Sequence, residues 1–100
     1  MMAVVTIILG GTYLTFTVSP NTRGATHDRR APGLNHLAFH GAAAEVDALV
    51  ADAPAHGWMP LYHDRYPHDG GPRHYAAYLE NTAGFKAEIV ASHGTGAANE

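Results

Sequence analysis

The sequence predicts an α+β fold: one βαβββ module preceded by an N-terminal β-hairpin, its mixed sheet curved into a half-barrel. Three observations predict it. Two β-branched apolar runs flank Gly10-Gly11, which is the signature of a hairpin. A single stretch, residues 42–55, carries apolar residues at helical spacing. Short strand-like runs separated by turn residues then fill the chain to residue 91.

The elements follow in order. Ala3–Leu9 and Tyr13–Val18 form the hairpin. The segment 19–33, with PNTRGATHDRRAPG at its centre, holds two prolines, two glycines and four charges and reads as an exposed, mobile linker. Leu34–Phe39 is a short strand. In the helix, Val46, Leu49, Val50 and Ala53 make the apolar face, while Glu45, Asp47 and Asp52 make the wet one. Pro54 disfavours helix at Ala53, so the last turn is expected to distort before Gly57 stops it. Trp58–Arg65 is a strand weakened by Pro60. YPHDGGPR, residues 66–73, is a turn-rich loop. His74–Glu80 and Phe85–Ala91 are strands around a tight turn at 81–84, and residues 92–100 are a disordered tail. Residues 34–91 thus form the main module, and 1–18 stand apart from it.

Composition narrows the function classes. Six Lys+Arg against nine Asp+Glu give a net charge of −3, which provides no basic field for nucleic acid or for a membrane surface. With no cysteine, disulfides and thiolate chemistry are excluded, and a cytoplasmic location is expected. The apolar start MMAVVTIILGG lacks a basic region and is shorter than the ~20 residues a spanning helix needs. Eight histidines in 100 residues raise the question of metal or proton chemistry.

Strand alternation sorts the polar residues. His36, Ala38 and His40 share one face of the first module strand. His74, Ala76 and Tyr78 share one face of the third, and Lys86, Glu88 and Val90 one face of the last. The opposite faces, with Leu37, Phe39, Tyr75, Ala77, Leu79, Ala87 and Ile89, suit packing on the helix. Periodicity leaves two readings open: the polar face meets solvent, or, if the sheet curls, it lines a cavity. His40, His63 and His68 read as surface or loop histidines, and His27, His56 and His93 as solvated. Trp58 and Phe85 read as core. Asp69-Gly70-Gly71-Pro72 reads as a turn and a candidate lid, not a phosphate loop, because it lacks the lysine and the strand-to-helix context.

GLNHLAFHG, then VDAL in a helix, then HGW, then HYAAYLENTAGFKAEIVA resembles, over residues 33–91, the second module of glyoxalase-type domains, the vicinal oxygen chelate superfamily. The resemblance implies that His36 and Glu88 are ligands of a divalent metal ion, Fe2+, Mn2+, Zn2+ or Ni2+. It implies that Tyr78 hydrogen-bonds a small-molecule substrate near that metal, and that His74 and His40 are acid/base or supporting groups. The reactions it implies range from ring-opening dioxygenation, slightly preferred on the His-rich wall and the RYPHDGGP loop, to glyoxalase isomerisation or thiol addition to an epoxide. The sequence departs from the family in two places. The D-P-D-G turn is Asn81-Thr82-Ala83-Gly84, and where a first-module carboxylate is expected the chain offers Thr15 or Thr17. A complete site draws on two modules, and the hairpin at 1–18 resembles only the remnant of a first one. A homodimer whose copies each give His36 and Glu88, a truncated gene product, and a degenerate or antibiotic-sequestering type of binding module are the three readings of that gap.

Overall fold

The protein is described by a computed structural model covering residues 3–9 and 11–91. Its elements are β1 (Ala3–Leu9), β2 (Thr12–Val18), β3 (Leu37–Gly41), α1 (Ala43–Asp52), β4 (Trp58–Leu61), β5 (Ala76–Asn81) and β6 (Lys86–Ala91). The tail expected at 92–100, with His93 in it, and Gly10, the first glycine of the hairpin pair, lie outside the described residues.

β1 and β2 pair antiparallel, from Ala3 opposite Val18 to Leu9 opposite Thr12. The second sheet is open, curved and mixed, with strand order β3-β6-β5-β4. β3 runs parallel to β6, and β6–β5 and β5–β4 are antiparallel. The α+β, βαβββ architecture is the one the sequence predicts. β3 and β4 are its edges. Pro60, which has no N–H to give a ladder, sits in edge strand β4, where one side of the backbone has no strand to bond.

Boundaries moved where side chains compete with the backbone. β3 starts at Leu37 and not Leu34, because Asn35 is used locally: its Nδ2 donates to the Arg29 carbonyl at 3.0 Å and its Oδ1 meets His36 Nδ1 at 2.7 Å. The α-helix ends at Asp52, and Ala53–His56 tightens into a 3-10 turn containing Pro54, closed by Gly57 at φ 84°. β4 stops at Leu61, four residues short of the expected end, because Tyr62 turns left-handed (φ 55°, ψ 36°) into a short 3-10 turn at His63–Arg65.

The core lies between α1 and one face of the sheet. Val46 is fully buried against Ala77 and Ala91, with Val50, Tyr66, Tyr75 and Ile89 packed around them. Leu49, expected on the apolar face, is 47% exposed, so the buried stripe of the helix is narrow. Asp47 accepts hydrogen bonds from the hydroxyls of Tyr66 and Tyr75, the latter at 2.6 Å, which fastens the loop after β4 to the helix.

The 19–33 segment has no regular element, but its second half is anchored. His27 N–H donates to the Ala83 carbonyl at 2.7 Å, and its ring stacks on Phe85 at 4.7 Å and 3°. His27 is therefore a packing residue and not the solvated one expected. A Cβ on Gly84, at φ +86°, would stand 2.1 Å from the His27 carbonyl oxygen, so only glycine fits that turn. This is the physical reason Gly84 stands in a turn otherwise unlike D-P-D-G.

Candidate functional site

The sheet face away from α1 carries the predicted polar set. Glu88 on β6 lies opposite Tyr78 on β5 and Ala38 on β3. Alternation along β5, continued back through the extended residues before it, aims His74 to the same side as Tyr78. His36 sits one residue before β3 and reaches the same point. The result is a shared carboxylate: His36 Nε2 is 2.9 Å from Glu88 Oε1, and His74 Nε2 is 2.6 Å from Glu88 Oε2. Tyr78 stands edge-on to His36, with ring centroids 6.3 Å apart. All four predicted site residues, His36, His74, Tyr78 and Glu88, are thus brought together. His40, two alternations beyond His36, is exposed and meets none of them.

Glu88 is only 7% exposed, whereas the side chains of His36 and His74 are 31% and 36% exposed. Burial works to raise the Glu88 pKa, but the hydrogen bonds from His74 and then His36 outweigh it and hold the carboxyl below its ordinary value of 4.5. Burial, followed by the Glu88 charge, pushes the Tyr78 phenol up to about 12, so it stays protonated and can donate. The 66–74 loop closes on this group. A Cβ on Gly70 would come within 2.4 Å of the His74 ring and 3.2 Å of the Tyr78 hydroxyl, so the loop's glycine allows the close approach. Arg65 Nε and Asp69 Oδ1, 2.5 Å apart, pin the loop from within.

The donor chemistry suits a divalent first-row ion. Two donors about 2.1 Å from one ion stand about 3 Å apart at right angles, and the His–carboxylate separations of 2.9 and 2.6 Å are near that spacing. The two imidazoles engage different oxygens, however. Among the described residues no group of three or more His, Asp, Glu or Cys is arranged around one point as a closed metal centre. The observed unit is a pair of His–carboxylate contacts sharing Glu88.

Sequence reasoning gave two groups no role. Lys86 Nζ donates to Tyr62 Oη at 3.1 Å and lies 5.0 Å from the ring centroids of both Tyr62 and Tyr78. That hydrogen bond, ahead of the opposing effect of burial, draws the Tyr62 pKa below 10.0. Arg29, from the segment read as a linker, pairs with Glu80 at 3.2 Å. A cavity of about 230 Å³ lies there, lined by His27, Asp28, Arg29, Arg30 and Glu80. Only alternation placed Lys86 on the right face in the sequence. Nothing in the sequence signals the left-handed Tyr62.

No family model matches the sequence. A crystal structure of a Bacillus halodurans protein provisionally assigned as a glyoxalase is similar, with a TM-score of 0.76 and 37% identity, covering 90% of this chain and 76% of that one. The fold and the polar sheet face therefore define a glyoxalase-type domain, and the chain belongs to the glyoxalase, or vicinal oxygen chelate, superfamily. The uncharacterised protein YqjT of Bacillus subtilis strain 168 is 45% identical over 60 residues, 59% of this chain, and the chain spans about half (47%) of its length. Among the described residues no helix is long and apolar enough to cross a membrane.

Proposed function

We propose that the chain acts as a metal-dependent enzyme of the glyoxalase/dioxygenase type on a small substrate with neighbouring oxygens, its site completed by a second copy in a homodimer. The supporting observation is the convergence of His36 and His74 on the two oxygens of buried Glu88. In this reading His36 and Glu88 hold the ion, which when bound supplies Lewis acidity toward the substrate oxygens. Tyr78, protonated at neutral pH, donates a hydrogen bond to a substrate oxygen. His74 Nε2, already at hydrogen-bonding distance from Glu88 Oε2, holds or moves a proton there.

A second reading, a non-catalytic small-ligand-binding module of the same fold, is favoured by the aromatic character of that face, where Tyr62 and Tyr78 stand edge to face at 5.5 Å.

The test is metal analysis of protein stripped with chelator and reloaded with Fe2+, Mn2+, Ni2+ or Zn2+, together with sedimentation. Expected is a dimer with about one ion per pair of chains, lost in His36→Ala and Glu88→Gln. No bound ion under any condition leaves the binding-module reading in front. A stable monomer that binds metal refutes the shared site.

A further inference from the structure

Two residues before Glu88 on β6, and hence about 7 Å along the same sheet face, Lys86 occupies an unusual setting. Its ammonium lies 5.0 Å from the ring centroid of Tyr62 and 5.0 Å from that of Tyr78. It donates to the Tyr62 hydroxyl at 3.1 Å in a partly buried position. The carboxylate expected to neutralise it is Glu80, its register partner across β5 and β6. Glu80 instead takes the guanidinium of Arg29 at 3.2 Å, and among the described residues no carboxylate stands within ion-pair distance of Lys86.

An ammonium has three N–H donors, and the phenol uses one. Tyr62, having accepted from Lys86, keeps its own O–H to give away. Tyr62 is also the one non-glycine with positive φ among the described residues. A tyrosine seldom adopts such a backbone, and here it carries the phenol that meets Lys86. A cation left without its carboxylate, beside a hydroxyl with a free proton, is a recognition site for an oxyanion.

We propose that Lys86 and Tyr62 form a subsite for the carboxylate of a small organic acid whose neighbouring oxygens face the His36–Glu88 end of the sheet. The proposal rests on the reading of that end as a substrate site, and it narrows the substrate class to acids. A ligand of a few bonds' length spans the two ends.

The probes are matched pairs with and without the acid: 3,4-dihydroxybenzoate against catechol, and lactate against lactamide. Each is titrated calorimetrically into chelator-stripped and into Mn2+-loaded protein. Wild type is expected to prefer at least one acid over its neutral counterpart by about tenfold, as a partly exposed charge-assisted hydrogen bond provides. Lys86→Met brings that ratio to about one with the neutral probe unchanged, Lys86→Arg keeps most of it, and Tyr62→Phe, which retains the ring, lowers it by about threefold. Circular dichroism verifies that each variant is folded. The subsite is overturned if wild type prefers no acid, if Lys86→Met and Tyr62→Phe both leave the ratio intact, or if inorganic phosphate binds there more tightly than every carboxylate. A preference that survives in stripped protein while Mn2+ changes no affinity supports the subsite and sinks the metal reading. Mn2+ tightening acid and neutral probe alike, with no preference between them, does the reverse.

Discussion

Replacing His74 by Ala tests the geometry of the shared carboxylate directly. The substitution removes the imidazole 2.6 Å from Glu88 Oε2 and leaves His36 on Oε1. A hydrogen bond to a charged group contributes about 1.5–3 kcal/mol. Because the His74 side chain is 36% exposed, water can enter its place, and the expected loss at pH 7 falls to about 1–1.5 kcal/mol. The pH dependence is more diagnostic. A carboxyl whose folded pKa lies below its unfolded value adds stability that is present above that value, 4.5, and is lost as pH falls through the folded pKa. In His74→Ala the largest lowering influence is gone while burial still raises the pKa, so the gap between folded and unfolded values closes or inverts. Urea unfolding at pH steps from 3 to 7 should therefore show the acid-side loss of stability shrinking or reversing in the variant, so that it is less stable than wild type near pH 7 and converges with it toward pH 3. A variant within ~0.3 kcal/mol of wild type at every pH would falsify the claim that this carboxylate is held by two imidazoles.

Two further outcomes follow from packing and backbone. Val46→Ala removes two carbons from a fully buried side chain and should cost about 2 kcal/mol, lowering the melting temperature by roughly 10 °C in calorimetry; a shift under ~3 °C would show that the helix–sheet contact is loose. Gly84→Ala forces a Cβ to 2.1 Å from the His27 carbonyl oxygen at φ +86° and should destabilise by more than about 2 kcal/mol, with loss of the His27–Phe85 ring-current shift in proton NMR. An unshifted spectrum would mean the 27–35 segment does not dock on the β5–β6 turn.

What the sequence revealed, it revealed through period and punctuation. Alternation in HYAAYLE and FKAEIVA put His74, Tyr78 and Glu88 on one face, because a half-buried strand has little freedom to turn its side chains. Pro54 announced the end of the helix for steric reasons that do not depend on context. The remainder depended on pairings distant in sequence. Arg29 reaches Glu80, and His27 reaches Phe85, from a segment with no periodicity to read. The left-handed Tyr62 cut β4 short although tyrosine carries no local preference for that conformation. The resemblance supplied the pairing of His36 with Glu88, because alternation alone left open whether the polar face meets solvent or lines a cavity.

The double grip of Asp47 on Tyr66 and Tyr75 has a mechanical corollary. The two tyrosines bracket the strip of chain that bends over the face carrying Glu88, yet their hydroxyls are moored to a helix on the reverse of the sheet. That strip cannot lift as an independent flap while both moorings hold. Opening it requires either release of a phenol from Asp47 or travel of the helix with it, so access to the front of this molecule is governed from behind.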